Sequence, residues 1–464
     1  MEKEYCSFRD PSGIVFEENG VIYRQINTVY KPHYDYLMNS GLYESLVKSN
    51  LLVRHTTIDR EGIGGDKYLV IRPERIPYIS YPYEWSFDGY RDAALAVLQI
   101  QEMALKYNMT LKDASAYNIQ FVAGQPVLID TLSFEIYREG RPWEAYGQFC
   151  RHFLAPLLLM SHVDVRLGGL MQNYIDGIPL DMANKILRRR GGFAAWLHVC
   201  LHSRSVTKHE QIDVGISKNT KNVKISKSRQ IATVQSMIRT IEKLKMKNTR
   251  SEWGDYYDDG CNNYNDSSFG NKENLVKQYL DRIGPVSLTW DFGANDGKFS
   301  RIALQNSDHV VAFDIDPVAL NRNYNNIKNA KEKMLPLLLD LTNPSPSIGF
   351  ANRERKSIEQ RSKPDVVIML AVIHHLAISN NVPFQMIAEW LASFCKYLVI
   401  EFVQKEDSQV KKMLSTREDI FVNYRIDKFE AEFQRYFIIC EKNKIEGSDR
   451  VLYLLKNNRQ INEN

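Results

Sequence analysis

Short apolar runs recur through the second half of the chain: "SLTWDF" at 287–292, "HVVAFD" at 309–314, "MLPLLLDL" at 334–341, "DVVIMLAV" at 365–372 and "YLVIEFV" at 397–403. Helical patterns separate them. Runs that are apolar almost throughout predict strands buried on both faces, as in a doubly wound α/β sheet covered by helices. Beyond the fifth run the pattern predicts a helix near 407–416. Two further strands follow, "YFIICEKN" and "RVLYLLKN", joined by the turn-rich "KIEGSD", an antiparallel pair at the end of the sheet.

Upstream, residues 217–250 break the pattern. Basic residues dominate, Glu242 is the only acid, and proline, glycine and aromatics are missing. Val234, Met237, Ile238, Ile241 and Leu244 fall at helical spacing, so a polar linker running into an amphipathic helix is expected. It meets RNA or an anionic surface, or it is a solvated connector. The expected division is therefore an α+β domain at 1–216, a basic linker and helix at 217–250, and an α/β domain at 251–464.

Composition narrows the class. At 464 residues the chain exceeds one core, and 44% hydrophobic with 25% charged residues describes an ordinary globular protein. No apolar run nears the ~18 residues that span a bilayer, and the N-terminus lacks a signal pattern. Six scattered cysteines without a CxxC pair argue against a zinc ribbon or disulfide framework; no metal is expected, and a reducing cytoplasm fits. A formal charge of +4 gives no whole-surface pull on nucleic acid.

The chemistry concentrates in "TWDFGANDGKFSRIAL", residues 289–304. The first strand ends at Asp291. Gly293 permits a sharp turn and Gly297 lets the next helix pack close. A dinucleotide fingerprint needs a glycine at 295, and Asn295 stands there. A carboxylate at 291 suits a positively charged ligand better than a phosphate, favouring S-adenosylmethionine over NAD. In "AFDID", Asp314 directly follows the second run and is the better ribose ligand, while Asp316 before Pro317 reads as a helix cap. Asp340 follows the third run, placed to reach adenine.

These segments, with "IMLAVIHHL", resemble in order and spacing the signature segments of class I S-adenosylmethionine-dependent methyltransferases, over roughly residues 250–457. The resemblance implies a Rossmann-like seven-stranded sheet with an antiparallel terminal hairpin. It implies that Asp291, Gly293, Asn295 and Gly297 form the methionine-side loop and that Asp314 with Ile315 meets ribose. Asp340 and Leu341 would flank adenine, and Leu370 and Ala371 would line the pocket. Asn295 departs from the usual middle glycine. General-base candidates are His374, His375 and Glu401. Trp253, Tyr256 and Tyr257, ahead of the loop, form either an acceptor lid or a packing strap.

In the first half, "LKDASAYNIQFVAGQPVLIDTLSFE" carries Asp113, Asn118 five positions on, and Asp130 at a strand end. The spacing resembles small-molecule kinases and aminoglycoside phosphotransferases over roughly residues 20–200. Leu111 replaces the usual loop histidine, Thr131 and Leu132 follow Asp130, and no glycine-rich phosphate loop is found; Lys31 is the available phosphate partner. The two-part layout also resembles bacterial methyltransferases related to nodulation host-specificity proteins.

The expected activity is methyl transfer from S-adenosylmethionine to a glycan, lipid-linked sugar or small metabolite. RNA methylation through the basic segment is one alternative. A small-molecule kinase with an S-adenosylmethionine-sensing domain is another. No oligomeric state is implied.

Overall fold

The computed structural model describes residues 2–3, 7–64, 66–188, 198–199, 224–247, 249–251, 266–415 and 418–458. The chain divides into two units, Met1–Lys247 with Ser347–Lys356, and Asn248–Pro346 with Ser357–Asn464.

The first unit opens with β1 (Glu2–Lys3), β2 (Gly13–Glu18), β3 (Val21–Asn27), β4 (His55–Ile58) and β5 (Lys67–Pro73). They form an antiparallel sheet in the order β1-β2-β3-β5-β4. A long helix, Phe87–Lys106, starts where the Ser86 side chain accepts from the Gly89 N–H at 3.1 Å. Its buried stripe includes Tyr90, Ala94, Val97, Leu98 and Leu105. Gln101, fully buried on this helix, accepts from the Leu111 N–H at 2.8 Å and donates to Thr110 Oγ1 at 2.9 Å. That pairing satisfies a buried amide and fixes β6 (Met109–Leu111), from which the Asp113 loop departs. β6 pairs with β9 (Phe134–Ile136), and β7 (Ile119–Val122) with β8 (Gln125–Leu128), all antiparallel.

The basic segment differs from expectation. Helix Lys227–Glu242 belongs to this first unit rather than standing as a separate linker. Val234, Met237 and Ile241 are buried, Gln235 donates to Glu102 at 3.0 Å, and Arg91 donates to the Leu244 carbonyl at 3.3 Å. Its apolar face is wide enough to pack on the long helix, and charge count alone hid that. A second surprise is the stretch 347–356, which comes from deep in the sequence but clusters with the first unit. The Glu354 carboxylate, nearly fully buried, accepts from Arg9 at 2.7 and 2.9 Å, and the Arg355 guanidinium lies 4.6 Å from the Tyr117 ring.

The second unit is a seven-stranded sheet built from β10 (Val286–Phe292), β11 (Ser307–Asp314), β12 (Met334–Leu338), β13 (Val366–Met369), β14 (Tyr397–Phe402), β15 (Phe437–Lys444) and β16 (Val451–Asn457). Its order is β12-β11-β10-β13-β14-β16-β15. The first five strands are parallel, and β16 runs antiparallel to both neighbours. Strand order reverses between β10 and β13, and the carboxyl ends beside such a reversal are where open α/β sheets generally take their ligands. Trp290, Phe292, Phe313, Trp390 and Phe394 interlock under that edge, with ring centroids 5.1–6.5 Å apart. Rigid aromatic packing of this kind holds the strand ends in place.

Among the described residues no helix is long and apolar enough to cross a membrane, and Cys150, Cys395 and Cys440 are free thiols. The lid candidates Trp253, Tyr256 and Tyr257 lie outside the described residues.

Candidate functional site

The loop after β10 is drawn onto the neighbouring strand by its own backbone. The N–H groups of Gly293 and Ala294 both donate to the Phe313 carbonyl, at 2.9 and 3.0 Å, and the Asn295 N–H donates to Asp314 Oδ2 at 2.7 Å. Three residues of the loop have positive φ: Gly293 at 78°, Asn295 at 50° and Gly297 at 86°. Asparagine tolerates that conformation better than most side chains, which explains how it replaces a middle glycine without breaking the loop. The glycines have no such substitute. A Cβ on Gly297 would stand 2.5 Å from the Asn323 side chain.

Two carboxylates flank this loop. Asp291 is 2% exposed and accepts from Ser300 Oγ at 2.6 Å. Burial, reinforced by Asp314, pushes its carboxyl up to about 7 against the opposing pull of the Ser300 hydroxyl and the Lys272 ammonium. Asp314 is likewise buried and raised to about 6, with the backbone N–H groups of Asp316, Asn295 and Ile315 opposing the shift. A carboxylate has about four lone-pair positions. Three are engaged by the backbone, so Asp314 keeps room for roughly one more hydrogen bond rather than two. Asp316 caps the helix Pro317–Ala330, accepting from the Val318 and Ala319 N–H groups at 2.7 and 3.2 Å. Ile315 projects with 58% exposure. Past β12, Asp340 accepts from the Thr342 N–H and hydroxyl at 2.8 and 2.7 Å, and Leu341 is half-buried beside it.

The segment after β13 faces the loop. Leu370 is buried, and Ala371 holds φ at 53°, strained for an alanine. His374 is 2% exposed and its Nδ1 has no hydrogen-bond partner among the described residues. Burial, then His375, Arg450 and Lys272, hold it well below the ordinary histidine value. His375 is half-buried, with its ring 4.2 Å from that of His374, and opens a π-type turn, His375–Ser379. Such turns concentrate at functional sites.

Glu401, at the end of β14, is fully buried and its two oxygens are engaged by cations: Lys272 Nζ at 2.6 Å and Arg450 Nη1 at 3.4 Å. Arg450 Nε also meets Asp407 Oδ2 at 2.8 Å. Stripping water from such ions costs several kcal/mol each, and losing one partner of a buried pair typically costs about 3–5 kcal/mol. An ion-pair duty therefore comes before any acid–base duty for Glu401.

In the first unit, the D-x4-N spacing becomes a contact. Asp113 accepts from Asn118 Nδ2 at 3.0 Å, Gln148 Nε2 at 2.7 Å and the Ser115 N–H at 3.0 Å. Burial, then the negative Asp130, raises its carboxyl above the usual range. Asp130 is met by Arg24 of β3 at 2.6 Å. Lys31 is turned to the surface, paired with Asp35 at 2.5 Å. The cation at this cluster is thus an arginine that the sequence reading passed over.

No family model matches the chain. It is 34% identical over 456 residues to the nodulation protein NoeA of Rhizobium meliloti (strain 1021), spanning 96% of this chain and 94% of the relative. The chain belongs to the NoeA family. Among solved structures it is similar to the N-methyltransferase NodS of Bradyrhizobium japonicum WM9 at 11% identity, over 42% of this chain and 98% of that one, with a TM-score of 0.31. It is also similar to the magnesium protoporphyrin IX methyltransferase of Synechocystis PCC 6803 at 16% identity, over 44% and 90%, TM-score 0.31. Likenesses at these scores carry no weight for the fold, which stands on the strand order.

For this NoeA-family chain, the candidate residues from 291 to 375 and at 401 gather along one sheet edge of the second unit, and Asp113, Asn118 and Asp130 gather in the first. Lys272, Ser300, Asp407 and Arg450 were missed. Lys272 had one available signal, a lone lysine on the otherwise apolar face that Val276, Tyr279 and Leu280 continue along helix Asp266–Ile283.

Proposed function

We propose that the second unit binds S-adenosylmethionine along the carboxyl ends of β10, β11 and β13 and transfers its methyl group to a glycan, lipid-linked sugar or small metabolite. The observation that supports this most is the pair of buried carboxylates, Asp291 and Asp314, on adjacent parallel strands, with the loop between them fastened to Asp314. A site with two raised carboxylates disfavours a pyrophosphate and suits a ligand with positive charge. Asp291 would face the methionyl ammonium and sulfonium side, Asp314 would accept from one ribose hydroxyl, and Asp340 with Leu341 would border adenine. When bound, S-adenosylmethionine supplies a sulfonium-activated methyl group for in-line displacement by an acceptor atom. Positioning then does most of the work. His375 is the favoured general base: it is half-buried, can pass a proton to solvent, and lies against the site. His374 resists protonation and serves to orient its neighbour. A role in nodulation is extended to this chain from the name of its NoeA relative.

Calorimetric titration of the full chain with S-adenosylmethionine, NAD and Mg-ATP tests the reading. Binding of S-adenosylmethionine alone, lost in Asp291→Ala, supports it; binding of NAD instead would sink it.

A second reading has one observation in its favour: Asp113 and Asn118 are in contact with Asp130 close by, as phosphoryl transfer requires. The Arg24–Asp130 ion pair weighs against it, since the guanidinium holds the carboxylate that a metal would need. Tight Mg-ATP binding abolished by Asp130→Ala would favour it.

A further inference from the structure

Five charged side chains alternate in sign beneath the proposed cofactor loop: Asp291, Lys272, Glu401, Arg450, Asp407. Lys272, from helix Asp266–Ile283, is 3% exposed, with its ammonium 2.6 Å from Glu401 Oε2 and 5.0 Å from the centre of the Phe299 ring. Arg450 is 2% exposed and joins Glu401 to Asp407. Asp407 in turn caps the helix Ser408–Leu414, accepting from the Gln409 N–H at 2.9 Å. The contacts among Lys272, Glu401, Arg450 and Asp407 therefore tie together β14, two helices and the turn into β16, and Asp291 of β10 feels the Lys272 charge.

The charges do not cancel. Among these described residues, three carboxylates face two cations, and Asp314 adds a further acid beside Asp291. A buried net negative charge is unfavourable and is relieved either by a proton or by an arriving cation. Asp291 stands at the end of the series nearest the loop. The groups around it are Ser300 from helix Lys298–Ala303, Asp314 from β11 and Lys272 from helix Asp266–Ile283. Glu401, Arg450 and His374 come next.

We infer that a cationic ligand binds this site by displacing a proton from Asp291, and that Lys272, anchored by Glu401, is a positioning residue that eases that proton's release. The ligand's identity rests on the S-adenosylmethionine reading; the coupling of Lys272 to Asp291 does not. The upward shift of the Asp291 carboxyl agrees with it. The exchange balances: a carboxyl O–H gives its proton to solvent, and the resulting carboxylate is neutralised by the ligand's positive charge.

Two measurements on the full chain test this. The first uses no ligand and follows Tm against pH. A group whose folded pKa is raised stabilises the protein below its unfolded value, near 3.9, and loses that contribution as pH rises through the folded value. The wild-type Tm should fall and then level off at about pH 7. Lys272→Met should move that levelling point to higher pH, Lys272→Arg should restore it, and Glu401→Gln should move it lower, because Lys272 then has Asp291 as its remaining carboxylate. The second is titration with S-adenosylmethionine in buffers of different ionisation enthalpy. Release of up to about one proton is expected at pH 6, fading by pH 8 in the wild type and persisting there in Lys272→Met. Folded Lys272→Met and Glu401→Gln proteins with wild-type pH profiles would overturn the inference. If Lys272→Met does not fold, the acid shift in Glu401→Gln decides alone. Failure of the wild type to bind S-adenosylmethionine would remove the proposed function while leaving the ligand-free profiles to settle the Lys272–Asp291 coupling.

Discussion

Gly293 and Val372 come so close that a Cβ on the glycine would stand 2.4 Å from Val372 Cγ2. The loop after β10 and the segment after β13 are thus packed backbone against side chain at the point where the sheet reverses. Gly293→Ala should destabilise the protein by about 2 kcal/mol or more, from overpacking plus a strained positive φ. Adding Val372→Ala should recover the overpacking part only. Urea denaturation of the single and double variants measures both; equal loss in the two would show that conformation, not space, dominates.

Asp314 has two tasks. Its carboxylate fastens the Asn295 N–H, and it is the proposed ribose ligand. Asp314→Ala should lower affinity for S-adenosylmethionine roughly 10- to 100-fold, since a polar group of the ligand loses its partner and the loop its anchor. Unchanged affinity in calorimetry would mean that the end of β11 is not where ribose sits.

The two histidines should separate kinetically. His375→Ala should lower kcat, by about 10²-fold for a general base, with little change in cofactor Kd. His374→Ala, which empties a fully buried position, should lower Tm as well. Equal loss of Kd and kcat in His375→Ala would make that residue structural.

Arg24→Ala leaves Asp130 without its cation in a site where both side chains are nearly nine-tenths buried. A cost of about 3 kcal/mol is expected in urea denaturation. Added Mg²⁺ should raise the Tm of the variant more than that of the wild type, where the guanidinium already neutralises the carboxylate. A Tm response identical in the two proteins would show that Asp130 does not attract a divalent ion.

The Glu354 carboxyl answers to pH in the opposite sense from Asp291. Burial would raise it, but the Arg9 hydrogen bond, the Phe350 N–H and Arg355 outweigh burial and leave it below its ordinary value. A depressed folded pKa gives stability that is present above the unfolded value, near 4.3, and lost as pH falls through the folded one. Glu354→Gln should therefore cost about 1 kcal/mol near pH 7, the half-exposed Arg9 limiting the effect, and little near pH 3. A cost independent of pH would make Glu354 a packing residue only.

Much of the second unit could be read in advance because its signals are local. Five strands buried on both faces leave five apolar runs, and each candidate acid stands at or just past the end of one. The capping role of Asp316 followed from its place before Pro317. The charged chain beneath the loop could not be read this way. Lys272 and Glu401 lie 129 positions apart and Glu401 and Arg450 lie 49 apart, so nothing in either neighbourhood points to the other. Arg24 was invisible for the same reason, standing on β3 far upstream of Asp130 and meeting it only in the folded chain. The basic helix misled in a different way: its many cations caught attention, while Val234, Met237 and Ile241 decided where it packs.

The stretch 347–356 has a practical bearing on how this protein can be taken apart. A fragment ending near residue 250 looks like a natural half, yet it would lack Glu354 and leave Arg9 and the Tyr117 ring without the residues that cover them. The complementary fragment would carry that same peptide with nothing of its own unit to fold against. Sequence order and structural order diverge here, and the first unit is finished only after nearly half of the second has been synthesised.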